Sequence, residues 1–90
     1  MSIFRDLKEA DGLTDREADI RNYLLDHPEN VLHLSSRQLG EATYTSAPTV
    51  TRFCKKFGYA GWSDFKLRFI SELKDDRDKE DQETVELSEQ

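Results

Sequence analysis

Ser35-Ser36-Arg37-Gln38-Leu39-Gly40-Glu41-Ala42-Thr43-Tyr44-Thr45-Ser46-Ala47-Pro48-Thr49-Val50-Thr51-Arg52-Phe53-Cys54-Lys55-Lys56-Phe57-Gly58 decides the fold of this chain. Ser35 can cap a helix while Gln38 reaches back from three residues later, so that two otherwise orphaned N–H groups are satisfied reciprocally. The helix opened there carries Leu39 and Ala42 and ends near Thr43. Tyr44 to Ala47 breaks the pattern. Ser46 then caps a second helix with Pro48 in its first turn, where a missing N–H is tolerated. Val50, Phe53, Cys54 and Phe57 follow at i, i+3, i+4 and i+7, a complete apolar stripe that Gly58 terminates. Two capped helices separated by so short a break predict a helix-turn-helix, whose second helix has the dimensions to enter the major groove of DNA.

At about 100° per residue, a core-facing stripe turns Pro48, Arg52 and Lys55 outward and puts Thr49, Thr51 and Lys56 on the flanks. The residue types suit that face. An arginine fork can pair with guanine O6 and N7, threonine brings a hydroxyl and a methyl, and lysine neutralises phosphate. Ser35, Ser36 and Arg37 at the start of the preceding helix offer N–H groups and a charge to the DNA backbone, although capping alone also accounts for the serines.

Outward from this unit the chain continues to read as helix. Ile3, Phe4, Leu7 and Ala10 have helical spacing before Asp11-Gly12. Thr14 and Glu17 form a second capping pattern, with Leu13 placed as a hydrophobic staple, and open a helix with Ile20, Tyr23 and Leu24 inward. That helix stops at about Asp26, because a residue before proline, here His27 before Pro28, is pushed out of the helical region. Tyr59-Ala60-Gly61 is a connector. Ser63 is the expected cap of a fifth helix whose broad apolar face holds Trp62, Phe65, Phe69, Ile70 and Leu73. No stretch alternates like a strand, so the fold class is all-α: a five-helix bundle containing a homeodomain-like helix-turn-helix.

Overall composition opposes a nucleic-acid partner, since the 90 residues carry a net charge of −6. The distribution reverses that impression. Residues 1–34 and 75–90 are acidic, whereas residues 35–74 set Arg37, Arg52, Lys55, Lys56, Lys66, Arg68 and Lys74 against only Glu41, Asp64 and Glu72. Only the central block can face phosphate. Lys66 and Arg68 are assigned to balancing Asp64 and Glu72. Residues 1–74 form the expected DNA-binding domain, and the acidic residues 75–90 a linker or tail.

The remaining chemistry is sparse. One cysteine, Cys54, allows no intramolecular disulfide and no four-thiolate zinc site, and its place on the apolar stripe makes it a core filler. His27 and His33 lack metal-ligand spacing, so no metal and no cofactor is expected. Trp62 is assigned to packing. No nucleophile with a base, paired catalytic carboxylates or glycine-rich phosphate loop is present, so an enzyme is not expected. Nothing reads as a signal peptide or as the roughly 20 apolar residues of a membrane span, which points to the cytoplasm.

From Leu13 to Leu73 the sequence resembles the N-terminal domains of RpiR-type bacterial transcriptional regulators. The likeness is carried by Leu13-Thr14-Asp15-Arg16-Glu17, by Tyr23-Leu24-Leu25-Asp26-His27-Pro28, by Leu39-Gly40-Glu41-Ala42, by the run Thr49 to Tyr59, and by Gly61-Trp62-Ser63-Asp64-Phe65-Lys66. The resemblance implies binding of a double-stranded operator as a homodimer. It also implies control of carbohydrate genes and a phosphosugar effector acting through a sugar-isomerase-like domain that residues 75–90 lead toward. The general helix-turn-helix pattern wants a small residue at Gly40, which is present, and commonly glycine where this chain has Tyr44. Thr45 stands where an aliphatic residue is usual, so the turn is expected to expose an aromatic and a hydroxyl to phosphate. The candidate DNA-binding set is therefore Ser35, Ser36, Arg37, Tyr44, Thr45, Ser46, Pro48, Thr49, Thr51, Arg52, Lys55 and Lys56. The competing reading is an acidic helical protein-interaction module without direct DNA binding.

Overall fold

Side-chain caps fix where the helices begin. In the computed structural model, which describes residues 2–89 and the side chains of residues 2–75, both expected capping boxes close. Thr14 Oγ1 accepts from the Glu17 N–H while Glu17 Oε1 accepts from the Thr14 N–H at 2.9 Å. Ser35 and Gln38 do the same at 3.1 and 2.9 Å. The helices are α1 (Ile3–Glu9), α2 (Asp15–Asp26), a 3₁₀ segment (Pro28–His33), α3 (Ser36–Ala42), α4 (Ala47–Lys56) and α5 (Trp62–Glu89). No strand occurs among the described residues.

Three local expectations need correction. The 3₁₀ segment makes six helical segments where five were read. Pro28, which stops α2, also starts this short segment from its first positions, and Val31 from it is fully buried. Helix α5 begins at Trp62, with the Gly61 carbonyl accepting from the Phe65 N–H at 3.1 Å, so Ser63 lies inside the first turn and is not its cap. Ala42 is exposed, and Thr43 takes the inward place at the end of α3, its hydroxyl donating to the Leu39 carbonyl at 2.8 Å. The expected tail falls, from residue 76 onward, outside the described side chains.

The core is continuous. Ile3, Leu7, Ile20, Leu24, Val31, Leu39, Val50, Phe53, Cys54, Trp62, Phe65 and Phe69 are buried together. Phe65 is the hub, with the rings of Phe53, Phe57, Tyr59, Trp62 and Phe69 centred 5.2 to 6.3 Å away. Truncating such a side chain to alanine costs about 3–5 kcal/mol, a large part of the stability of so small a domain. Trp62 packs as expected, its indole N–H donating to the Leu34 carbonyl at 2.9 Å. Burial pushes the Cys54 thiol up to about 12, which agrees with a filler and not a reactive group.

Helix α1 is strapped across α5. The Ile3 N–H donates to both carboxylate oxygens of Glu72, at 2.9 and 2.8 Å, and Phe4 packs on Phe69 with ring centroids 4.6 Å apart. The apolar face of α1 is thus consumed within the chain, leaving Leu32 and Leu67 as the exposed aliphatic side chains of that region. No helix among the described residues is long and apolar enough to cross a membrane.

Candidate nucleic-acid interface

The α3–turn–α4 unit closes through glycine. A Cβ on Gly40 would lie 2.8 Å from the Ser46 carbonyl carbon, 3.0 Å from its Cα and 3.1 Å from the Ala47 nitrogen. The main chain at the start of α4 therefore rests directly on α3. The Thr45 N–H donates to the Gly40 carbonyl at 2.7 Å and pins the turn. Tyr44 supplies the left-handed residue this turn needs, at φ 59°, where glycine would be unstrained. Its side chain projects almost wholly into solvent, 92% exposed.

Thr45 behaves otherwise than expected. Its hydroxyl lies 2.9 Å from the Thr43 hydroxyl. Because the Thr43 proton is committed to the Leu39 carbonyl, Thr45 is the donor, and its polar group is turned inward instead of being offered at the surface. A part-buried hydroxyl pair here takes the place of an aliphatic contact.

Helix α4 packs as its period dictates. Val50, Phe53 and Cys54 are fully buried and Phe57 partly so, while Pro48, Arg52 and Lys55 are exposed on the opposite side. Ser46 caps the helix, with its hydroxyl 2.9 Å from that of Thr49. Thr51 donates its hydroxyl proton to the Ala47 carbonyl at 3.1 Å, so it presents acceptor lone pairs and a methyl. Among the described residues Arg52 has no ion-pair partner. Lys56 does: its ammonium sits 2.9 Å from Glu17 Oε1 and 3.2 Å from the Gly12 carbonyl, tying the end of α4 to α2. The Thr14 N–H, followed by Lys56, holds the Glu17 carboxyl below its ordinary value.

At the start of α3, the hydroxyl and N–H of Ser35 are both used in the capping box, and Ser36 is half-buried beside it. Arg37 pairs with Glu41 at 3.3 Å with both side chains mostly exposed, a contact worth at most about 1 kcal/mol and easily exchanged. Of the flanking cations, Arg68 meets Glu72 at 3.1 Å as expected, whereas Lys66 donates to the Leu34 carbonyl and not to a carboxylate.

A cleft of about 350 Å³ lies between α2 and α4, lined by Thr14, Arg16, Glu17, Thr49, Arg52 and Lys56. Arg16 and Glu17 are absent from the DNA-binding set expected from the sequence, which placed Glu17 only in a capping box. Block charge counting had placed both in the acidic first third, and only the packing of α2 on α4 brings them to this face.

The comparisons agree with this geometry. A family model described as "Helix-turn-helix domain, rpiR family" matches residues 4–76. A bifunctional protein glk of Paraburkholderia xenovorans is 32% identical over 73 residues, 80% of this chain and 11% of that protein. An uncharacterized HTH-type transcriptional regulator of Caldanaerobacter subterraneus subsp. tengcongensis is 30% identical over 73 residues, 81% of this chain and 25% of its own length. Among solved structures, the Vibrio vulnificus NanR protein complexed with ManNAc-6P superposes with a TM-score of 0.77 at 26% identity, covering 80% of this chain and 28% of that one. The chain thus spans about a tenth to a quarter of the length of these curated relatives.

Proposed function

The chain belongs to the rpiR family of helix-turn-helix domains, and from that membership we propose that α4 lies in the major groove of a duplex operator with Arg52 reading a base edge. Thr49, Thr51 and Pro48 line the groove beside it. Lys55, Arg37, Tyr44, Ser46 and the start of α3 at Ser35 and Ser36 face the flanking phosphates. The observation that carries this reading is an exposed arginine, unpaired among the described residues, at the centre of a helix whose other side is locked in the core.

Binding to DNA recovered from a random pool tests it. Arg52→Ala is expected to cost about 1–3 kcal/mol and to relax base preference at one position, while Lys55→Ala weakens all sequences alike and lowers the salt slope by about one. Equal losses for both variants on every sequence, or binding that ignores salt, would refute the assignment.

Within a longer regulator, residues 1–74 act as the DNA-binding domain and 75–90 as the connection to an effector domain that senses a phosphorylated sugar, in the cytoplasm, over carbohydrate genes. The ManNAc-6P complex of NanR supports that class of effector. The domain works as a homodimer. With α1 consumed internally, the supporting surface is Leu32, 47% exposed, grouped with Ile70 and Leu73, together with Leu67, 70% exposed and three residues before Ile70 on α5. Sedimentation of the wild type against Leu67→Glu checks this, and a parent that stays monomeric at high concentration would refute pairing through this domain.

A further inference from the structure

The cleft between α2 and α4 gathers an excess of positive charge. Arg16, Arg52 and Lys56 line it against Glu17. The carboxylate does not cancel the arginines, because Glu17 Oε1 is engaged by both the Thr14 N–H and the Lys56 ammonium, at 2.9 Å each. Lys56 is held further by the Gly12 carbonyl. What remains uncompensated is a pair of exposed guanidinium groups, Arg16 from α2 and Arg52 from α4, neither with an ion-pair partner among the described residues. Two like charges on one cleft repel each other. An anion seated against Arg16 relieves this, since one guanidinium fork grips two acceptor oxygens through parallel N–H donors while Arg52 stays free to reach a base edge. Thr49 adds a hydroxyl to the same wall. Since Thr49 and Arg52 belong to the helix assigned to the groove, the anion nearest to hand is a phosphodiester of the duplex itself.

We propose that this cleft seats one DNA backbone phosphate, with Arg16 making the contact from outside the helix-turn-helix. The proposal rests on α4 being the groove-bound helix. It assigns Arg16 a positioning role: the phosphate fixes how deep and in which register α4 sits, without reading a base. The Lys56–Glu17 bridge is the floor of the seat, holding the two helices at the spacing the phosphate needs.

The test compares the parent with Arg16→Gln on a duplex recovered from a random pool, and on copies of that duplex in which one phosphate at a time is replaced by an uncharged methylphosphonate. Arg16→Gln is expected to weaken binding about three- to tenfold, to keep the ranking of preferred sequences, and to lower the slope of log K against log salt by about 0.9. At one methylphosphonate position the parent should weaken while Arg16→Gln does not. An unchanged thermal midpoint establishes that the variant is folded. No loss of affinity, or a loss of the same factor at every methylphosphonate position, overturns the phosphate seat alone and leaves the role of Arg52 standing. A parent without sequence preference overturns both.

Discussion

Gly40→Ala probes the contact on which the whole recognition unit turns. The added methyl would lie 2.8 Å from the Ser46 carbonyl carbon, 3.0 Å from its Cα and 3.1 Å from the Ala47 nitrogen, against an optimum of about 3.5–4.0 Å between carbons. Every one of these neighbours is main chain, so no rotamer change relieves them, and the start of α4 must move outward by roughly 0.5–1 Å. Overpacking of this kind costs about 1–3 kcal/mol, and backbone-on-backbone contact puts Gly40 in the upper half of that range. Alanine returns about 1 kcal/mol of helix propensity inside α3. The net is a loss of about 1–2 kcal/mol, or a fall in Tm of about 5–15 °C at this size. Calorimetry or circular dichroism at the helical minimum reads it directly. DNA affinity should fall as well at a temperature where the variant is fully folded, because α4 has been displaced relative to α3. A Tm at or above that of the parent would refute the reasoning: it would mean the turn gives way freely and Gly40 is present for another reason.

Glu17→Gln retains an acceptor for the Thr14 N–H but loses the charge facing Lys56. The folded-state pKa of Glu17 is depressed, so its contribution is present above the ordinary value of 4.5 and is lost as pH falls through the folded value. The variant should be less stable at pH 7 by up to about 1 kcal/mol and show a shallower acid loss below pH 4.5. Parallel urea midpoints for the two proteins from pH 7 down to pH 3 would exclude Glu17 as the responsible group. Tyr44→Asn places a residue tolerant of positive φ at the turn and should raise stability by up to about 1 kcal/mol, while weakening DNA binding severalfold if the exposed phenol meets phosphate. A stabilised variant with undiminished affinity would strike Tyr44 from the interface.

The parts of this molecule that were legible in the sequence are those fixed within one helical turn. Thr14 with Glu17 and Ser35 with Gln38 announce helix starts because each box closes over three residues, and the Val50, Phe53, Cys54, Phe57 stripe announces the buried side of α4 because its period is its own. The misreadings concern contacts between distant residues. Pro28 was legible as a stop, yet the 3₁₀ segment it begins is too short to show a period and is held by burial of Val31. Ser63 has the chemistry of a cap, but the tether of Trp62 to Leu34, which draws on another part of the chain, accompanies a helix start two residues earlier than a Ser63 cap would give. Periodicity placed Lys56 on a flank correctly. It said nothing about where a long flexible stem would deliver its ammonium, which is 39 residues away in sequence at Glu17.

That last contact bears on how an acidic chain can serve as a DNA-binding domain at all. Charge neutralisation cannot come from the whole molecule, whose net charge is −6, so it has to come from placement. The acid that lines the cleft with Thr49 and Arg52 is Glu17, and its charge is paired with Lys56 in a bridge that also fastens α2 to α4. Gly40 sets α3 against the start of α4 and the bridge holds its end, so both ends of the helix are fixed by different neighbours. Arg52 gains its value from that rigidity, because a bidentate contact tolerates little misplacement. If Lys56 serves as a strut, Lys56→Met should lower stability and blunt base discrimination together, whereas a simple phosphate contact would lower affinity evenly and leave the urea midpoint unchanged.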